Sequence, residues 1–193
     1  MGNKEKNKKI LLFVIPMVLL ISIISFSYAY WMRTSTQTNE NILVVGACMD
    51  AELTNVTEAI GLFNEFPRKN DVGMQRNPYT FKITNTCNNH IIIDIALEVL
   101  ETSSMAHEYI RTSLQGSGIT DDNSSLLNDF FTRSATIPGA ESYTLKEGVI
   151  LEPHEEQIYD LRLWIEASTP WEEGNSKEFR SKIVIISTIY YTD

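Results

Sequence analysis

Few residues in this 193-residue chain are of types that do chemistry: three histidines, two cysteines and scattered carboxylates. His107-Glu108 and His154-Glu155 each open like the zinc-peptidase pattern His-Glu-x-x-His, in which two histidines one helical turn apart hold the metal and the glutamate activates water. Neither pattern is completed, because Arg111 and Ile158 stand at the fourth residue after each histidine. Both segments also read as strand or strand entry, so solvated surface histidines are expected. Asp121-Asp122-Asn123 offers oxygens without the alternating ligands of a calcium loop, and an acidic turn is expected there. The chain has no nucleophile elbow, Walker loop or dinucleotide fingerprint. No catalytic residue, cofactor or metal ligand is assigned, and a protein without enzymatic activity is expected. Trp164 and Trp171, with Phe179, could form an aromatic platform for a carbohydrate or protein ligand; the competing reading packs Trp171 into a loop and stands Trp164 on a sheet face.

Cys48 and Cys87 are the only thiols. Both follow an N-terminal apolar run, where an oxidising compartment permits pairing, and one disulfide is expected. It would close a loop of about 40 residues and contribute a few kcal/mol in the chain-entropy picture. The alternative is two separate buried thiols acting as small apolar side chains. A metal site is disfavoured, since neither cysteine has a Cys-x-x-Cys partner or a histidine-rich neighbour.

The elements that would position these residues begin after residue 31. The head "MGNKEKNKK" carries four lysines and one glutamate, and residues 10–31 carry no charge. A positive head, an apolar body and small residues at Ser27 and Ala29 form the layout of a secretory signal cut before Tyr30. An uncleaved anchor reaching about residue 31 is the competing reading, because 22 uncharged residues can span a bilayer. In either case the lysines stay cytoplasmic, and the rest is secreted or held at the outer face of the membrane. The partners expected at this end are a signal peptidase and, before cleavage, the membrane. Val45-Gly46-Ala47-Cys48 resembles a lipoprotein box but lies too far from the apolar run to serve as one. Beyond that run, 12 basic residues face 24 acidic ones, a balance that repels phosphate backbones and disfavours nucleic acid.

Residues 30–41 read as an extended polar tether and 42–193 as a single domain. Residues 42–53 form a first apolar strand region containing Cys48, followed by a turn, a short apolar piece up to Phe66 and the polar loop 67–78. Period two then governs Tyr79, Phe81 and Ile83, and again Ile91, Ile93, Ile95, Leu97 and Val99; the two segments are expected to pair as a hairpin. A shorter strand places Ile110, Thr112 and Leu114 on one face. Residues 115–142 are expected to be a long connection with one helical turn. Tyr159, Leu161, Leu163 and Ile165 alternate inward, as do Phe179, Ser181, Ile183, Ile185, Ser187 and Ile189, while Val184 and Ile186 make the far face of that last strand apolar too. Seven to nine strands and no convincing amphipathic helix imply an all-β, antiparallel jelly-roll or immunoglobulin-like sandwich.

Three stretches resemble the TasA/camelysin group of Gram-positive exported proteins, whose signals are cut by a SipW-type peptidase. They are "SYAYW" with the following Thr34-Ser35-Thr36, "YTFKITNTC" with Cys87 where glycine is common, and "LEPHEEQIYDLRLWI" with His154 in a glycine position. The resemblance implies a jelly-roll domain at the cell surface or in a biofilm matrix, with subunits polymerising by lending an N-terminal strand to a neighbour. Here Ile42, Leu43, Val44 and Val45 are suited to that strand, the alternative being that they pair within their own sheet. The partners expected are further copies of the chain or other surface and matrix proteins. The peptidase activity attributed to camelysin is not carried over, since no catalytic residues match.

Overall fold

The computed structural model describes residues 17, 41–54, 59–116 and 124–190. The expected cleavage site at Ser27, Ala29 and Tyr30, the tether except Asn41, and the acidic turn 121–123 lie outside the described residues. The chain divides into two units, Met1–Thr36 and Gln37–Asp193, of which the second carries the sandwich.

In chain order the elements are β1 (Ile42–Val45), β2 (Met49–Leu53), β3 (Ile60–Leu62), the helical turn α1 (Asn70–Gly73), β4 (Tyr79–Asn85), β5 (His90–Val99), β6 (Ile110–Gly116), β7 (Ser125–Leu126), β8 (Phe131–Arg133), β9 (Glu141–Leu151), β10 (Glu156–Ile165), the turn α2 (Trp171–Gly174) and β11 (Phe179–Tyr190). They build two sheets. One runs β1-β11-β5-β9-β8, with β3 also on β11, and the other runs β2-β4-β10-β6-β7. From β3 onward the chain changes sheet at nearly every connection, the jelly-roll arrangement.

The period-two faces are the core faces. Ile91, Ile93, Ile95 and Leu97 of β5, Tyr159, Leu161, Leu163 and Ile165 of β10, and Phe179, Ile183 and Ile185 of β11 all join one buried cluster between the sheets. Phe81 stacks on Tyr159 inside it, with centroids 5.5 Å apart. β11 lies between β5 and the β1/β3 edge, and Val184 on its far face is fully buried.

One expected hairpin is corrected. β4 and β5 do not pair with each other: β4 lies between β2 and β10, and β5 between β11 and β9. The 86–89 turn instead carries the chain from one sheet to the other. β10 and β11 also belong to opposite sheets. Among the described residues, only β6–β7 and β8–β9 join strands adjacent in the chain. The first strand region is also two strands in different sheets, divided at Gly46–Cys48, where Gly46 has φ +123° and Cys48 φ +68°.

The expected connection 115–142 holds β7, a 3-10 turn at Leu127–Asp129 and β8, and the 11-residue strand β9 begins inside its end, at Glu141. β9 escaped period-two reading because it is bulged twice against β5. It advances three positions from Lys146 to Val149 where β5 moves two, from Ile95 to Ile93, and two from Thr144 to Lys146 where β5 moves one. Each extra residue flips the pattern, and the second flip returns Tyr143 and Leu151 to the same buried side. The loop before β9 is latched by Glu98, a buried side chain of β5 that accepts the backbone N–H groups of Thr136 (2.7 Å) and Ile137 (2.8 Å).

Candidate functional site

Two places combine exposed chain with specific local construction. The first is the N-terminal edge. Among the described strands, β1 is the only one that forms a parallel ladder with its neighbour, matching Ile42 with Ile183 through Val45 with Ile186. It occupies the same edge of β11 as β3, which covers Phe179 to Ser181 immediately before it. Ile42 and Val44 point into the core at 3% and 6% exposure, and the amide of Ile183 donates to the carbonyl of Asn41 at 3.1 Å. The sequence-expected strand residues 42–45 are therefore paired within their own sheet.

Beyond β1 the chain crosses to the other sheet in three residues and is fastened there. Cys48 and Cys87 form a disulfide with a Cα separation of 5.0 Å. The pair joins the β1–β2 crossing to the β4–β5 crossing and is compatible with an extracytoplasmic location. Asn85, at the end of β4, completes this corner. Its side-chain amide donates to the carbonyls of Asn89 (2.8 Å), Glu152 (2.8 Å) and Leu151 (3.4 Å), while Oδ1 accepts the amide of Cys87 at 3.0 Å. One buried side chain thus ties the β4–β5 crossing to the β9–β10 crossing. His154, in that second crossing, has φ +63°, a left-handed conformation that glycine adopts at least cost, and bonds Asn88 at 2.9 Å through Nε2.

The second place is a cleft at the opposite ends of β3 and β10. Tyr79 holds β3 in position, donating its hydroxyl to the carbonyl of Gly61 at 2.6 Å. The segment 64–67 that follows is fixed at its far end by the amide of Arg68, which donates to the carbonyl of Ile165 at 2.9 Å. Glu65 bonds Arg76 (2.6 Å) and Arg68 (2.9 Å), and these partners, Arg76 foremost, hold its carboxyl below the usual carboxylate range despite partial burial. Across the cleft, α2 follows β10 after a turn closed by Thr169, whose hydroxyl donates to the carbonyl of Glu166 at 2.7 Å. Gly174 packs near Pro67, with Trp171 and Phe66 at the rim.

The two tryptophans read as a joint platform do not form one. Trp171 is 64% exposed, but Trp164 is 0% exposed beneath α1. A Cβ on Gly73 would fall 2.3 Å from the Trp164 ring, so the backbone of α1 lies directly on the indole and no ligand can reach that face. The polar loop 67–78 is folded down as its cover. Phe66, by contrast, is 62% exposed and lines the cleft with Trp171. Sequence reasoning missed Phe66, Asn64, Asn175 and Ser176; the available signal was an aromatic placed directly before a proline at a loop entry.

The His-Glu pairs are separate. His107 lies in a 3-10 turn and faces Glu141, Nδ1 to Oε2 at 3.0 Å, while His154 faces Asn88. Among the described residues no three His, Cys, Asp or Glu side chains converge on a metal-sized space, and no helix is long and apolar enough to cross a membrane. No protein-family model, curated protein or solved structure matches the chain.

Proposed function

We propose that the chain is an exported, non-catalytic structural protein of the cell surface or extracellular matrix that assembles by exchanging β1 between copies. In this reading the signal is cut after Ala29 and the tether 30–41 delivers the strand, as in the TasA/camelysin proteins the sequence resembles. The observation that carries it is β1 itself: a short terminal edge strand with its own slot on β11, joined to the fastened domain only through Gly46 and Ala47.

A strand placed in a neighbour's slot makes the contacts it made at home, so exchange costs association entropy and little else. Gly46, at φ +123° in the two-residue hinge, is free of the side chain that restricts other residues and gives the strand a pivot about which to swing out. Head-to-tail exchange that does not close into a ring propagates as a fibre. Two of the other edges are blunted, β8 and β7 being three and two residues long, which disfavours edge pairing there; β2 is a five-residue edge.

Electron microscopy and light scattering of two purified chains test the reading. The chain starting at Tyr30 is expected to form concentration-dependent oligomers or fibres. A chain starting at Gly46 is expected to remain monomeric and to cap growth of the longer one by offering an empty slot. Monomers at every concentration of the longer chain, or equal assembly by both, would remove the proposal.

A further inference from the structure

We propose that the cleft between residues 64–67 and α2 binds neutral sugar residues of a surface polysaccharide, a property independent of strand exchange. Four observations converge on that ligand class. The rim carries two large exposed aromatic side chains, Trp171 and Phe66, of the kind that stack on the C–H face of a pyranose. Between them stand Asn64, Asn175 and Ser176, neutral donors and acceptors matched to hydroxyl groups. Among the described residues, the side-chain amide of Asn64 and the indole N–H of Trp171 have no partner in the fold.

Charge narrows the choice further. The one carboxylate lining the cleft, Glu65, is neutralised by Arg68 and Arg76, which share one net positive charge with it, and neither arginine lines the cleft itself. The surface beyond is acidic, which disfavours anionic polymers. Size narrows it again. The cleft holds about 100 Å³, well below the roughly 300–1,000 Å³ of sites that enclose a small molecule. A ligand therefore lies across it and continues into solvent, as one or two units of a chain do.

The walls are set in advance of binding. Asn64 and Ser176 are held in left-handed backbone conformations, φ +54° and +58°. The α2 turn is closed by the amides of Glu173, Gly174 and Asn175, donating to Pro170, Pro170 and Trp171 at 3.0, 3.1 and 2.9 Å. Little ordering cost is left for the ligand to meet.

The test is affinity electrophoresis of the chain starting at Tyr30 through gels containing dextran, galactomannan, xylan or soluble N-acetylglucosamine oligomers, with alginate as the anionic control. At least one neutral polymer is expected to retard the protein. Trp171→Ala is expected to weaken that retardation about ten-fold or more, the scale of losing one aromatic anchor. Asn64→Ala is expected to weaken it less, and Phe131→Ala, an exposed aromatic elsewhere, to leave it unchanged. Thermal melting of each variant separates lost binding from lost fold. Retardation by none of the neutral polymers, retardation by alginate alone, or binding indifferent to Trp171→Ala would overturn the assignment. So would loss of copy-to-copy association in Trp171→Ala without any polysaccharide effect, which would make the rim a protein contact.

Discussion

Replacing Cys48 and Cys87 together by serine is expected to lower the free energy of unfolding by about 4 kcal/mol, the loop-closure value for a separation of 39 residues. For a domain of this size that is a fall in Tm of roughly 10 °C. The loop closed by the bond holds β2, β3, α1 and β4, so freeing it enlarges the unfolded ensemble for about a quarter of the sandwich. The bond also fixes the position of Cys48, whose φ of +68° is a costly one for a residue with a side chain. Melting of the oxidised and reduced wild-type chain, alongside the double serine variant, checks the prediction. Equal midpoints for all three would mean that the crossing turns hold without the crosslink.

Asn85→Asp is expected to destabilise the fold by about 3–5 kcal/mol, the penalty for leaving a buried charge without a partner. The substituted side chain keeps an acceptor for the amide of Cys87 but loses the donors that serve Asn89, Glu152 and Leu151, and it turns a carboxylate toward three carbonyl oxygens. Asn85→Ala leaves those groups unsatisfied without adding charge, at about 1–3 kcal/mol for each one that water cannot reach. The two variants separate by pH. A carboxyl facing carbonyls has its folded pKa raised above its unfolded value, so the Asp variant is least hindered below the unfolded pKa and loses stability as pH rises through the folded one. Urea unfolding in mild acid and at neutral pH is expected to show the Asp variant recovering in acid while the Ala variant does not. Parallel behaviour of the two would contradict the hydrogen-bond assignment.

How far the sequence could be read depended on whether local pattern or distant pairing decided each feature. β5, β10 and β11 were legible because each is long, buried on one face and regular, so Ile91 to Val99, Tyr159 to Ile165 and Phe179 to Ser187 announce their inward positions. Their partners were not legible. A short polar turn such as 86–89 fits a hairpin and a cross-sheet corner equally well, and what decides between them is Asn85 reaching residues 66 and 67 positions away. β9 was hidden by its two bulges, since periodicity assumes an unbroken register. The pairing of the cysteines followed from their number, whereas the burial of Trp164 turned on Gly73, a residue that only the folded loop 67–78 brings near it. The aromatic cleft was half legible: Trp171 stood out by type, but Phe66 lies 105 positions away and meets it only because β3 and β10 end side by side.

The most direct test of strand exchange is a covalent trap at the slot. Leu43 and Val184 are opposite one another in the β1–β11 register, so Leu43→Cys with Val184→Cys places a new bond where β1 docks. Isotopically light and heavy copies of that variant would be mixed, assembled and oxidised, and the crosslinked peptides weighed. Exchange predicts hybrid light-heavy peptides and a non-reducing ladder of oligomers; crosslinks that always join two halves of the same copy, even in the largest particles, would contradict it.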